Sequence, residues 1–147
     1  MPGLNLDRQR WMSVFARADL EVLGELASGL VSQPHHVVRG PEIGMVMIRG
    51  RIGGLGDPFN VGEATVARCT VRLDGGETGH AYVLGRDKRK AQIAALLDAL
   101  MQTGDAPAIR ERVIEPLARL QEDRRSSRRE KANATRVDFF TMTRGDD

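Results

Sequence analysis

Residues able to do chemistry gather in one stretch, Gly44–Leu73. It holds Arg49, Arg51, Arg68 and Arg72, and between them Gly53-Gly54-Leu55-Gly56-Asp57-Pro58, then Phe59 and Gly62. Guanidinium forks and backbone that can approach closely are what hold phosphate-type anions. The match to known phosphate loops is incomplete. No Lys-Ser/Thr follows the glycines, the GxGxxG spacing is missing, and Pro58 ahead of a strand speaks against a helix N-terminus there. A wide turn with a solvated face is the competing reading. A second basic feature is Gly85-Arg86-Asp87-Lys88-Arg89-Lys90, which opens a helix. Cations in a first turn oppose the helix dipole unless an anion docks there. The candidates for anion binding, or for contact with a partner subunit, are therefore Arg49, Arg51, Gly53, Gly54, Gly56, Arg68, Arg86 and Lys88. Their spacing does not say whether the two features converge.

Other chemistry finds little support. Ser13 and Ser28 lie on apolar-patterned helices without a nearby base, and His80 lies on a strand. Glu42, Asp57 and Glu63 flank the glycine stretch, but their spacing demands neither a metal nor a ribose hydroxyl. Adjacent His35 and His36 on a strand point to opposite faces, so they do not share an ion. One cysteine, Cys69, excludes an intrachain disulfide and an iron–sulfur cluster held by this chain's own thiolates. Its place on an apolar strand face makes it a core residue. No catalytic residue and no metal ligand is assigned.

These residues need a scaffold, and 147 residues suffice for one domain spanning 1–147. Hydrophobic residues at 41% and charged residues at 29% are ordinary for a globular chain. A net charge of +2 is too small to demand a nucleic-acid partner, and aromatics at 4% leave few stacking platforms. The start of the chain has no signal-peptide pattern, and no apolar run nears the roughly 20 residues of a membrane span, so the expected place is the cytoplasm.

Met1–Leu6 read as unstructured. Asp7 can cap a helix to about Ala18 with Trp11, Val14, Phe15 and Ala18 as its stripe, and Asp19 can cap a second helix. Strands are predicted at His35–Arg39, at Gly44–Ile52 after a turn at Gly40-Pro41-Glu42, at Ala67–Leu73, and at Thr78–Leu84 after the hairpin signal Asp74-Gly75-Gly76. In the second strand Val46, Ile48 and Ile52 would form a buried face. In the third, Ala67, Cys69, Val71 and Leu73 would do so. The fold class is α+β: a four-stranded antiparallel meander, about 35–84, covered by N-terminal and C-terminal helices. Asp87 can cap a helix with Ile93, Leu96, Leu97, Leu100 and Met101 as its buried stripe. Pro116 is predicted to separate or kink two helices, Ala108–Glu115 and Leu117–Ala132. A charged helical arm and an extended tail occupy about 117–147. The arm's mixed signs favour a solvated helix, or one laid on a partner, over a nucleic-acid binder. Val137, Phe139, Phe140 and Met142 would be an exposed apolar patch unless they pack back on their own domain or insert into a partner, and the partner is the favoured reading. Trp11, Arg136, Phe139, Phe140 and Met142 are thus the subunit-interface candidates.

Four separated segments carry a family resemblance. They are Met45-Val46-Met47-Ile48-Arg49-Gly50-Arg51-Ile52-Gly53-Gly54-Leu55-Gly56 with Phe59 and Gly62-Glu63-Ala64-Thr65; Arg8-Gln9-Arg10-Trp11-Met12-Ser13-Val14; Gly85-Arg86-Asp87-Lys88; and Asn133–Asp146. In this order and spacing the chain resembles the G subunits of the bacterial carbon–phosphorus lyase core complex, the PhnG family. Asp105–Arg129 matches least. The resemblance implies a part in organic phosphonate catabolism, in displacement of adenine from ATP by methylphosphonate to give alpha-D-ribose 1-methylphosphonate 5-triphosphate. It implies partners: the H, I and J subunits in a hetero-octamer with two copies of each, and the ATPase-like L subunit. It implies no cofactor bound by this chain alone, ATP being a substrate of the complex, and a structural or accessory role, inactive alone. It assigns no catalytic residue. Two other readings stand beside it: a stand-alone phosphate- or nucleotide-binding protein, and a basic-arm nucleic-acid binder. The expectation is no nucleic acid and no membrane.

Overall fold

Alternation in Ala67, Cys69, Val71 and Leu73 gives β2 (Pro58–Leu73) one apolar face, and all four side chains are buried. The computed structural model describes the backbone of residues 2–144, and within it the side chains of residues 6–51 and 53–135. β2 is the middle strand. It pairs antiparallel with β1 (His35–Arg51) on one side and β3 (Thr78–Leu84) on the other. Ala81 and Val83 of β3 continue the buried face.

The sheet among the described residues therefore has three strands, and the predicted four are corrected. Gly40-Pro41-Glu42 does not turn the chain. It stays inside β1, and the irregularity is absorbed as register shifts between Val37 and Arg39 and between Arg39 and Glu42. β1 and β2 then run on together past the last residue of β3, since Leu84 is paired to Val66. The pairing continues from Met45↔Thr65 to Arg51↔Pro58. That extension is an arm of two strands, roughly 20 Å long at about 3.4 Å per residue. A turn at Ile52–Gly54 closes its tip, with Gly53 and Gly54 at φ of 61° and 79°. Only glycine adopts that conformation without strain.

α3 (Lys88–Leu100) packs on the covered face of the sheet. A Cβ at Gly79 would overlap the carbonyl oxygen of Ala95 and the amide of Ala99, so β3 and α3 approach as closely as backbone allows. Asp87 caps α3 as predicted, its Oδ1 accepting from the Lys90 amide at 3.0 Å. The helix is buried from Ile93 to Leu100 without a break, not along one stripe. The sheet takes one side of it and helices take the other. These are α1 (Pro2–Arg17), α2 (Leu20–Leu26) and the helical run after α3.

α1 begins at Pro2, a residue suited to a first helical position, so Asp7 is not its cap. The Asp7 carboxylate instead accepts from Arg110 at 3.0 Å. Asp19 stands at the start of α2 without a side-chain cap bond, and its carboxylate goes to Arg124 at 2.6 Å. Pro116 does not separate two helices by a gap; a π-helical turn precedes it instead. α4 (Ala106–Ile109), a π-helical turn (Arg110–Ile114) and α5 (Glu115–Arg144) succeed one another without a gap. The wide turn opens the helix just where the proline ring would meet the carbonyl one turn back and where its missing N–H would be needed. α5 is helical to Arg144, where the sequence predicts an extended tail. Among the described residues no helix is long and apolar enough to cross a membrane.

Candidate functional site

The glycine stretch forms the tip of the arm. Arg49 and Arg51 stand in register with Asn60 and Pro58 near its end, beside Gly53, Gly54 and Gly56. Two of the three residues of the predicted buried face, Val46 and Ile48, are not buried, and the side chain of the third, Ile52, lies outside the described residues. Val46 and Ile48 are exposed on one side, Met45 and Met47 on the other, with Phe59, Val61 and Leu55 exposed along the rest. The reason is geometric: α3 reaches only as far as β3 does, and among the described residues no layer covers the strands beyond it.

Arg68 lies beyond the base of the arm, in the three-stranded part of the sheet. It is paired across the strands with Glu42 and with Tyr82. Its Nε donates to Glu42 Oε1 at 2.7 Å, and Arg39 Nε reaches the same oxygen at 2.9 Å. The Arg68 hydrogen bond holds the Glu42 carboxyl below its ordinary range. Six positions of pairing separate Arg68 from Arg49, so these arginines do not converge. Arg86 sits in the connection after β3, and Lys88 is the first residue of α3. That connection is tied back to the sheet where the Gly85 amide donates to the Thr65 carbonyl at 2.9 Å, at the base of the arm.

A second basic surface is built from residues that no single stretch of sequence contains. Arg17 at the end of α1, Lys90 in the first turn of α3, and Arg124, Arg125 and Arg128 on α5 line one open cleft of about 640 Å³, with Tyr82 and Leu84 of β3 as its apolar wall. α5 is held against α1 by Gln121 Nε2, which donates to the Val14 carbonyl at 2.9 Å, and to the start of α2 by the Asp19–Arg124 bond. That hydrogen bond lowers the pKa of Asp19 and raises that of Arg124. Burial pushes the Lys90 ammonium down. The signal in the sequence was the 124, 125, 128 spacing, which places all three on one helix face. Arg17 and Lys90 could be joined to it only by the packing.

Other predicted positions resolve differently. Trp11 is not available to a partner. It is buried, and its Nε1 donates to Asp98 Oδ1 at 2.7 Å. The side chains of Arg136, Phe139, Phe140 and Met142 lie outside the described residues. Cys69 is a buried core residue whose thiol is pushed up by burial. His35 and His36 go to different partners, the Gln33 carbonyl at 2.7 Å and Asp74 at 3.4 Å. Among the described residues no three His, Cys, Asp or Glu side chains come together as a metal site. One hydroxyl–imidazole contact was not foreseen: Thr70 Oγ1 lies 3.1 Å from His80 Nδ1. The two are cross-strand partners, which brings them together as a matter of register. Among the described residues no carboxylate bonds that imidazole to complete a catalytic set.

Fold and site define an α+β domain whose distinctive surfaces are a projecting two-stranded arm and a cationic cleft. The chain belongs to the family of the phosphonate metabolism protein PhnG, whose model matches residues 6–145. It is 52% identical over 143 residues to the alpha-D-ribose 1-methylphosphonate 5-triphosphate synthase subunit PhnG of Rhizobium meliloti (strain 1021), covering 95% of this chain and 90% of that relative. The family read from the four sequence segments is thus the family of the chain.

Proposed function

We propose that this chain is a structural or accessory subunit of an alpha-D-ribose 1-methylphosphonate 5-triphosphate synthase, inactive alone and working within a carbon–phosphorus lyase core complex in the cytoplasm. Its partners are the H, I and J subunits, two copies of each subunit making a hetero-octamer, with the ATPase-like L subunit assisting. ATP enters as substrate of the complex, whose reaction displaces adenine by methylphosphonate. The likeness to a synthase subunit supports this reading.

The observation that carries the subunit role is the arm. Met45, Met47, Leu55, Phe59 and Val61 are 62%, 56%, 94%, 46% and 61% exposed on a projection that no second layer covers among the described residues. A chain that worked alone would leave this apolar surface in water. Apolar strands on an uncovered projection are suited to insertion between partner subunits.

Co-expression tests the proposal. The tagged chain, produced with H, I and J subunits from the same genome, should elute as a complex with two copies of each. A lone monomer or homodimer in the presence of those subunits would overturn it. The synthase reaction should require the assembled subunits and be absent with this chain alone.

A further inference from the structure

We propose that the cleft between α1, β3 and α5 binds a small oligophosphate: a chain of linked phosphate groups, free or carried on an ester. This goes beyond the subunit role and does not rest on it.

Five cations from three separate elements, Arg17, Lys90, Arg124, Arg125 and Arg128, line this one space, and among the described residues no carboxylate joins its lining. The acids around it offset only part of that charge, and Asp87 and Asp19 both favour the charged form of Lys90. Asp19 holds Arg124 at 2.6 Å, and Glu122 holds Arg125 at 3.3 Å while also bonding Arg129 at 2.8 Å. Among the described residues Arg17, Lys90 and Arg128 form no ion pair. Arg124 and Arg128 are also one turn apart on α5, a like-charge spacing that disfavours a free helix. Lys90 is partly withdrawn from water, and its pKa is lowered for that reason. Each of these costs is relieved by an anion in the cleft.

The shape selects the kind of anion. A volume of about 640 Å³ lies within the roughly 300–1,000 Å³ range of small-molecule sites and exceeds what one hydrated ion needs. Arginine forks match phosphate oxygens two at a time. Several cations set around one cleft of this volume fit linked phosphates better than a single phosphate. Tyr82, 58% exposed, and Leu84, 74% exposed, give an ester group an apolar wall. A nucleic acid fits less well. Arg129 is already held by Glu122, and among the described residues the cleft has a single aromatic ring where a strand needs a series.

The test is calorimetric titration of the full-length chain with inorganic tripolyphosphate, with pyrophosphate and phosphate as shorter probes. Saturable one-to-one binding is expected, tightening with chain length and weakening as salt rises. Arg17→Gln and Arg128→Gln should each weaken it about tenfold or more. Arg128→Lys should lose less. Arg49→Gln with Arg51→Gln, on the distant arm, should change nothing. Unchanged circular dichroism establishes that each variant is folded. If the chain alone is insoluble, the same comparison is made on the co-purified assembly. Absence of saturable binding overturns the proposal, as does equal weakening by the arm variants. If Arg17→Gln and Arg128→Gln leave tripolyphosphate binding intact but release a partner subunit, the cleft is a protein contact and the proposal fails. Intact assembly without oligophosphate binding would sink this inference and leave the subunit role standing.

Discussion

Trp11 and Asp98 are joined by a 2.7 Å hydrogen bond between the indole N–H and Oδ1, with Trp11 6% exposed and Asp98 fully buried. The same carboxylate accepts from Arg8 Nε at 3.1 Å, from Arg8 Nη2 at 2.7 Å and from the His80 amide at 2.9 Å. One side chain of α3 thereby ties α1 to the edge strand β3. A carboxylate with that many donors is stable in a core, because the donors replace the water it has lost.

Truncating Asp98 should be severe. Asp98→Ala leaves an indole, a guanidinium and a backbone amide without their acceptor, and a loss of about 3–5 kcal/mol is expected. Asp98→Asn keeps the shape and one acceptor and should cost less, about 2 kcal/mol. Urea denaturation of the folded chain or assembly measures both. A loss below about 1 kcal/mol for the alanine variant would mean that the network does not hold α1 in place.

Gly79→Ala should also destabilise, for a different reason. The added methyl meets backbone of α3 at Ala95 and Ala99, and backbone cannot swing aside as a flexible side chain can. Overpacking of this kind costs about 1–3 kcal/mol. Neutral behaviour in thermal denaturation would show that β3 and α3 are not in backbone contact at this position.

The Asp19–Arg124 pair gives a pH signature. The arginine lowers the folded-state pKa of Asp19, so the pair's contribution is full above the ordinary value of 3.8 and is lost as pH falls from there through the lowered value. The pair is exposed, and its contribution is small and screened by salt. The melting-temperature difference between the chain and its Asp19→Asn variant should therefore be constant from neutral pH to about pH 5 and close in stronger acid. A difference that grows on acidification would contradict this assignment.

On the arm, paired substitutions separate docking from folding. Met45→Lys with Met47→Lys alters one side of β1, and Val46→Lys with Ile48→Lys alters the other. All four residues are exposed, so domain stability should move by about 0.5 kcal/mol or less. At least one pair should abolish co-purification with the partner subunits. Full assembly with both pairs would show that the arm is not an interface.

Local order determined much of this molecule. Strict alternation in Ala67–Leu73 and in Ala81–Val83 fixes which face of the sheet is covered, because a strand has only two faces. Asp87 caps α3 because its carboxylate needs only the Lys90 amide three residues on. The family, too, was legible, since its motifs are linear strings. What tertiary structure alone decided involves partners far apart in the chain. Val46 and Ile48 carry a pattern fit for burial, yet they are exposed because β3 and α3 end before reaching them. Gly40-Pro41 reads as a turn by composition but remains in β1, where β2 supplies a partner for the strand on both sides of it. Pro116 is tolerated because a π-helical turn precedes it. Asp98 reads as one polar position in an apolar helix, and only folding brings Arg8, Trp11 and His80 around it. The cationic cleft is of the same kind: Arg17, Lys90 and Arg128 are scattered in sequence, and the packing of α5 on α1 puts their charges around one space.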